Sequence, residues 1–298
     1  MKRFAAVVAI AVLAFAPRAL TAQSVDSTFA VRSGAHFELQ SVSGSVHIRA
    51  WNRPQIRVQA ESDGARVDLD ASPGGVSVRA MPRRGEGDVD FTISVPVGTP
   101  LEVHAISADV DVGQVCGPVR LSSISGGVTL ACATGDVEVE SVSGDVSATD
   151  IRDGHTEISS TSGDVQVRQV KGDLSARSVS GDVTLDRVDG VDVGVETVSG
   201  EIGFSGPIHD NGRYRFRSHS GDVTVRADGD LNASVTVSTF SGDFESPDWP
   251  ITITPGPGRR MHGQDWEFTV GSGGARLTLG SFSGTIYLRR GSSPRRED

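Results

Sequence analysis

The chain has 298 residues, 36 of them glycine, 5% aromatic side chains and a formal charge of −10 at pH 7. An acidic balance of this size argues against nucleic acid and anionic membrane surfaces as partners, because both repel it. The length allows a large buried core.

Residues 1–22 read as a signal peptide. Met1-Lys2-Arg3 supplies the charged start and Phe4 to Phe15 an apolar run. Small residues lead to Leu20-Thr21-Ala22, where cleavage is expected. A run of about a dozen residues is too short to cross a bilayer as a helix. No cysteine at the cut marks a lipoprotein, and no later run is long and apolar enough to span, so no membrane span is expected after cleavage. Losing Lys2, Arg3 and Arg18 leaves 25 basic against 38 acidic residues, a charge of −13. The expected location is the periplasm or the cell exterior, within the cell envelope.

Residues 23–100 form a less regular, β-rich N-terminal cap and first repeat. Ile56-Arg57-Val58-Gln59-Ala60, Val76-Ser77-Val78 and Val89-Asp90-Phe91-Thr92-Ile93 alternate apolar and polar side chains, the period of a half-buried strand. Turn clusters such as Ser72-Pro73-Gly74-Gly75 separate them. Hairpins or a small sheet covering one end are expected, since an open stack of strands exposes unpaired backbone.

Residues 101–290 carry a strict repeat. A Ser-Gly pair stands at 43–44, 125–126, 143–144, 162–163, 180–181, 199–200, 220–221, 241–242 and 283–284. Between the Ser-Gly glycines lie looser ones at 117, 135, 154, 172 and 190, so half-units of nine or ten residues alternate. Each half holds a strand of about five or six residues and a short turn. Two halves bring the chain back above its start. The prediction is an all-β, parallel β-solenoid of about 18–21 residues per coil, with about nine or ten coils stacked ~4.8 Å apart. Residues 291–298 are polar and read as a disordered tail.

Columns aligned on the motif glycine predict the core. Two before it stand Val42, Ile124, Val142, Thr161, Val179, Val198, His219, Phe240 and Phe282. Two after it stand Val46, Val128, Val146, Val165, Val183, Ile202, Val223, Phe244 and Ile286, and four after it a third, mostly apolar column. Shared parity assigns all three columns to one interior face. His219 then reads as an interior residue rather than a catalyst. The serine before the glycine suits a ladder of stacked hydroxyls.

Cys116 and Cys132 lie 16 residues apart, close to one coil. Neighbouring coils ~4.8 Å apart are within disulfide reach. Two buried thiols are the alternative.

After the glycine stand Asp145, Asp164, Asp182, Glu201, Asp222 and Asp243. This outward column has two readings: turn residues that cap amides, or oxygen ligands for Ca²⁺. His-Glu-x-x-His, Gly-x-Ser-x-Gly and a phosphate loop do not occur. No catalytic residue, metal or cofactor is assigned. An insertion near 246–266 interrupts the repeat, and loops on a rigid scaffold often carry function. Trp249, Arg259, Arg260 and Trp266 are its candidate binding residues, suited to a sugar or peptide; otherwise its tryptophans pack on the solenoid.

Three further stretches accompany the repeat: Ala50-Trp51-Asn52, Val95-Pro96-Val97-Gly98-Thr99-Pro100-Leu101 and Ser281-Phe282-Ser283-Gly284-Thr285-Ile286. With these, the chain resembles the bacterial putative-adhesin family of β-strand-repeat proteins over about residues 35–290. That resemblance implies a solenoid-like β fold in a cell-envelope setting and supplies no catalytic residues. The functional expectation is a non-catalytic envelope or secreted binding scaffold. Its expected partner is a surface glycan or an envelope protein. The alternatives are a polysaccharide-active solenoid enzyme and a periplasmic partner of an envelope-stress regulator.

Overall fold

The computed structural model describes residues 24–81, 87–249, 254–255 and 264–291. The expected signal peptide, Arg259, Arg260 and residues 292–298 of the expected tail lie outside them. The described chain is all-β, and its repeats stack as a solenoid. The strand Val137–Ser143 shows how. It pairs in parallel with Val119–Ser125 on one side and with Val146–Ser162 on the other. Val139 therefore stands between Leu121 and Ile158. The Val183–Asp189 strand likewise pairs in parallel with Val165–Ser180 and with Ile202–Pro207. One coil after another, equivalent residues fall in register, so each side chain packs on its own counterpart.

The columns two and four residues after the glycine are core, as expected. Val146, Val165, Val183, Ile202 and Val223 are all at most 1% exposed. Phe244 and Ser246 are the exceptions, both half-buried, Phe244 against Trp266 and Phe268 at centroid distances of 5.7 and 5.6 Å.

The column two residues before the glycine is not core. Ile124, Val142, Val179 and Val198 are 50–52% exposed, and Phe240 and Phe282 are 47% and 45%. The cause is the corner itself. Gly144 and Gly181 have φ of +137° and +134°, which L side chains rarely adopt. The chain bends there from one face of the solenoid to the other, and the alternation slips by one residue. Inward positions before the bend are therefore three and five residues ahead of the glycine. The fifth position is apolar: Leu121, Val139, Ile158, Ala176, Val195 and Phe216, all at most 1% exposed. The third is hydroxylic. Ser123, Ser141, Ser160, Ser178, Thr197, Ser218, Thr239 and Ser281 are 3–6% exposed. The buried hydroxyl ladder thus lies two positions earlier than the sequence suggests. Ser141 Oγ donates to Gly144 O at 3.2 Å, and Ser218 Oγ to Gly200 O at 3.1 Å. His219, expected inside, is exposed.

Antiparallel strands close both ends. At the first, Gln55–Ser62 pairs antiparallel with Val89–Pro96 and with Ser24–Ala30, and Arg66–Ser72 with Gly75–Met81. At the other, Gln264–Val270 pairs antiparallel with Ala233–Ser241. The coil order also departs from the chain order. Ala275–Ser283 lies between Arg213–Ser220 and Ala233–Ser241, parallel to both. The chain skips one level, turns back through the insertion and fills the gap last. Cys116 and Cys132 are bonded, with their Cα atoms 4.9 Å apart.

Candidate functional site

The acidic column is a capping device. Four of its six carboxylates, those of Asp145, Asp164, Asp182 and Asp222, accept a corner backbone N–H from the next coil. Asp145 Oδ1 accepts from Asp164 N at 2.9 Å, Asp164 from Asp182 N at 2.9 Å, and Asp182 from Glu201 N at 2.8 Å. Asp222 accepts from Thr285 N of the inserted coil at 2.7 Å. The opposite corner repeats the arrangement, with Asp136 accepting from His155 N and Asp173 from Asp192 N. These bends leave an amide without a ladder partner, and an aspartate side chain satisfies it. Among the described residues, no group of three or more His, Cys, Asp or Glu side chains is placed to hold a metal ion. Asp164→Ala is expected to cost about 1 kcal/mol, the scale of a lost capping side chain. Asp164→Asn keeps an acceptor oxygen and should cost less, a ranking that urea denaturation midpoints will check.

Exposed ion pairs cross-link neighbouring coils on the outer faces. Arg120 reaches Glu138 and Arg177 reaches Glu157, each at 2.7 Å. Arg49 donates to Asp111 Oδ2 at 2.5 Å and holds its carboxyl below the usual range, against the opposing effect of desolvation. These pairs belong to the scaffold, and exposed pairs of this kind contribute little stability each.

The exposed apolar column is the more distinctive surface. Pairing register sets its order in space: Val42, Ile106, Ile124, Val142, Thr161, Val179, Val198, His219, Phe282, Phe240. Nine steps of ~4.8 Å make a ridge of roughly 43 Å. It ends in a ring stack. His219 lies on Phe282 at 4.7 Å and 12°, and Phe282 on Phe240 at 4.5 Å and 3°. Single exposed valines need no explanation, but a contiguous apolar strip marks an interaction surface. Sequence reasoning placed these residues inside. The signal that could have found them is the hydroxyl column one position earlier, which breaks the alternation.

Of the four candidate residues of the insertion, Trp249 and Trp266 fall among the described residues. Trp249 is 6% exposed and belongs to the core. The Arg290 guanidinium covers its ring at 4.5 Å, and Arg290 N donates to Asp248 Oδ2 at 3.0 Å. Trp266 is half-buried against Phe244. Arg259 and Arg260 lie outside the described residues. Beside the ring stack, a cavity of about 680 Å³ is bounded by Arg217, Gly280, Ser238, Asp265 and the two phenylalanines.

No curated protein matches this chain. Two solved structures resemble it over most of its length at low identity. One is a putative cell adhesion protein from Clostridium sporogenes, at 8% identity and a TM-score of 0.21, covering 90% of this chain and 100% of that one. The other is a putative adhesin from Bacteroides fragilis, at 10% identity and a TM-score of 0.33, covering 89% and 96%. The decisive likeness is to a family, and it takes in the first Ser-Gly corner and the inserted last coil alike: across residues 35–286 the chain matches, and so belongs to, the Toastrack DUF4097 family.

Proposed function

We propose that this protein is a non-catalytic binding scaffold of the cell envelope or extracellular space, adhesin-like in its manner of working. The observation that carries this reading is the ridge from Val42 to Phe240. A solenoid core needs none of these side chains outside, yet an exposed apolar one stands there at seven of the ten levels and the half-buried Val42 at an eighth. Water contact at a half-exposed valine is unfavourable by ~25 cal/mol for each Å² of apolar surface, and a partner lying along the ridge recovers that free energy. The rigidity of stacked coils favours such contact, because little conformational entropy is lost when a preformed surface binds. Against catalysis stands the repetition of the carboxylates. The same capping bond recurs from coil to coil and singles out no acid–base pair.

The test uses the triple variant Val142→Ser, Val179→Ser and Val198→Ser. Sedimentation with isolated cell envelopes should show binding weakened at least about tenfold, or ~1.4 kcal/mol. The wild-type and variant chains should remain equally well folded by circular dichroism. Equal sedimentation of the two chains overturns the ridge as contact surface. Release of soluble sugar from envelope polysaccharide overturns the non-catalytic reading.

A further inference from the structure

The face next to the ring stack carries a second arrangement, assembled only because the last coil is inserted out of order. Its strands lie in the spatial order Arg213–Ser220, Ala275–Ser283, Ala233–Ser241, Gln264–Val270. The outward residues of the first strand are Arg213, Arg215 and Arg217. Those of the last include Asp265 and Glu267. Between these two charged walls, the outward residues at the levels of Arg215 and Arg217 are short; one level away, Arg276 stands outward beside Arg213. Register sets Arg215 beside Thr278, Thr236 and Glu267, and Arg217 beside Gly280, Ser238 and Asp265. The result is a trough two strands wide. It has a guanidinium wall, a carboxylate wall, a hydroxyl floor and an apolar end at Phe282 and Phe240.

Two features separate this trough from an ordinary strand face. First, its walls are not closed into ion pairs among the described residues, although register sets Glu196 beside Arg217 on its outer flank. Arg213 is paired with Asp192 at 2.7 Å. Arg215, Arg217, Asp265 and Glu267 have no ion-pair partner among the described residues. The walls are three strand spacings apart, roughly 14 Å between backbones. Second, Gly280 is not required by the backbone. Its φ lies outside the left-handed region. A Cβ there would meet Arg217 Cγ at 3.5 Å and Ser238 O at 3.9 Å, ordinary contacts. Gly194, on the other flank of Arg215, has nothing within 4 Å of such a Cβ and no positive φ. Glycine inside a strand is less stable than alanine there. Where the backbone does not demand it, glycine marks a place left open for close approach.

We infer that this trough binds a glycan segment bearing carboxylates, with Arg215 and Arg217 holding the acid groups. Guanidinium forks match carboxylates in two hydrogen bonds. Asp265 and Glu267 accept from ring hydroxyls, and Ser238, Thr236 and Thr278 offer hydroxyl partners from the floor. A pyranose ring fits the space above Gly280. An extended peptide is a poorer occupant, because it gains most of its affinity by adding to a free strand edge. The trough floor is a sheet face whose backbone groups are already paired. The inference rests on the reading of the chain as a binding scaffold and names a ligand class for one end of it.

The experiment titrates the full chain by calorimetry with three probes. These are a hexasaccharide of mannuronate, its carboxyl-reduced counterpart and a glutamate-rich hexapeptide. Mannuronate binding is expected, with the reduced sugar and the peptide each at least about tenfold weaker, a gap of ~1.4 kcal/mol. Gly280→Gln fills the trough without backbone strain and should abolish binding at unchanged melting temperature. Arg215→Ala with Arg217→Ala should also abolish it. The ridge triple variant should bind mannuronate normally, which separates failure of this site from failure of the ridge. Absence of mannuronate binding at millimolar concentration overturns the inference. So does equal binding of the reduced sugar or the peptide, or a Gly280→Gln chain that binds as well as wild type.

Discussion

Gly181→Val is expected to lower the unfolding free energy by about 3 kcal/mol, from a positive φ and a collision acting together. Gly181 has φ of +134°, and a side chain there would strike the carbonyl oxygen of Gly163 on the preceding coil. That oxygen belongs to the stack of corners and cannot withdraw without opening its own coil. Relief would require the Val183–Asp189 strand to move off Val165–Ser180, breaking their parallel register. In a repeat protein each coil is stabilised mainly by its neighbours, so the damage should divide one cooperative unit into two. Urea denaturation should then show a lower midpoint and a broadened transition. Gly280→Ala is the internal control: same residue type, no left-handed φ and no collision. It should leave stability unchanged or raise it by up to ~1 kcal/mol. Equal losses for the two variants would refute the claim that corner geometry, rather than glycine content, governs this fold.

Cys116→Ser with Cys132→Ser is expected to cost about 3 kcal/mol, the loop-closure scale for a ring of this size. The bond spans a sequence separation of 16 and joins two short loops of neighbouring coils. Cys116 itself has φ of +52°, a conformation few residues adopt without being held. Between the cysteines lie one full strand and one short one. The strand Val128–Leu130 has three residues, against seven in Val119–Ser125 before it. The bridge therefore reinforces a coil in which one strand is short. The melting temperature of the wild-type chain should fall on reduction, and that of the double serine variant should not respond. A wild-type chain indifferent to reductant would show that the coil is held by its ladder alone.

Much of this architecture can be read from the order of the residues. A nine- to ten-residue beat of glycines leaves room for one strand and one turn, and two beats for one coil. β-Branched residues two and four places after each glycine find their counterparts overhead, because the repeat length is nearly constant. Asp after glycine is outward and free to cap, since no strand partner reaches the corner amide. Cys116 and Cys132 come together because their spacing approximates one coil. All of this depends on neighbours within one or two coils, and short-range periodicity encodes it.

What the order of residues leaves open concerns directions and distant partners. Whether Val142 points in or out depends on how far the backbone turns at Gly144, and the bend at positive φ shifts the alternation by one. Counting parity through the corner therefore put an exposed ridge in the core, and left Ser141 and its counterparts unnoticed. Of the two readings the insertion allows for Trp249, binding residue or packing residue, the inward placement of its indole beneath Arg290 favours packing. The position of Ala275–Ser283 between two strands that precede it in the chain has no local signature. At the end of the stack it would pair along one edge only, whereas within it both edges are paired. Closure of the gap left by the skipped coil selects the second. That placement brings Gly280 between Arg217 and Ser238, with Asp265 beyond, residues whose proximity no repeat length could have shown.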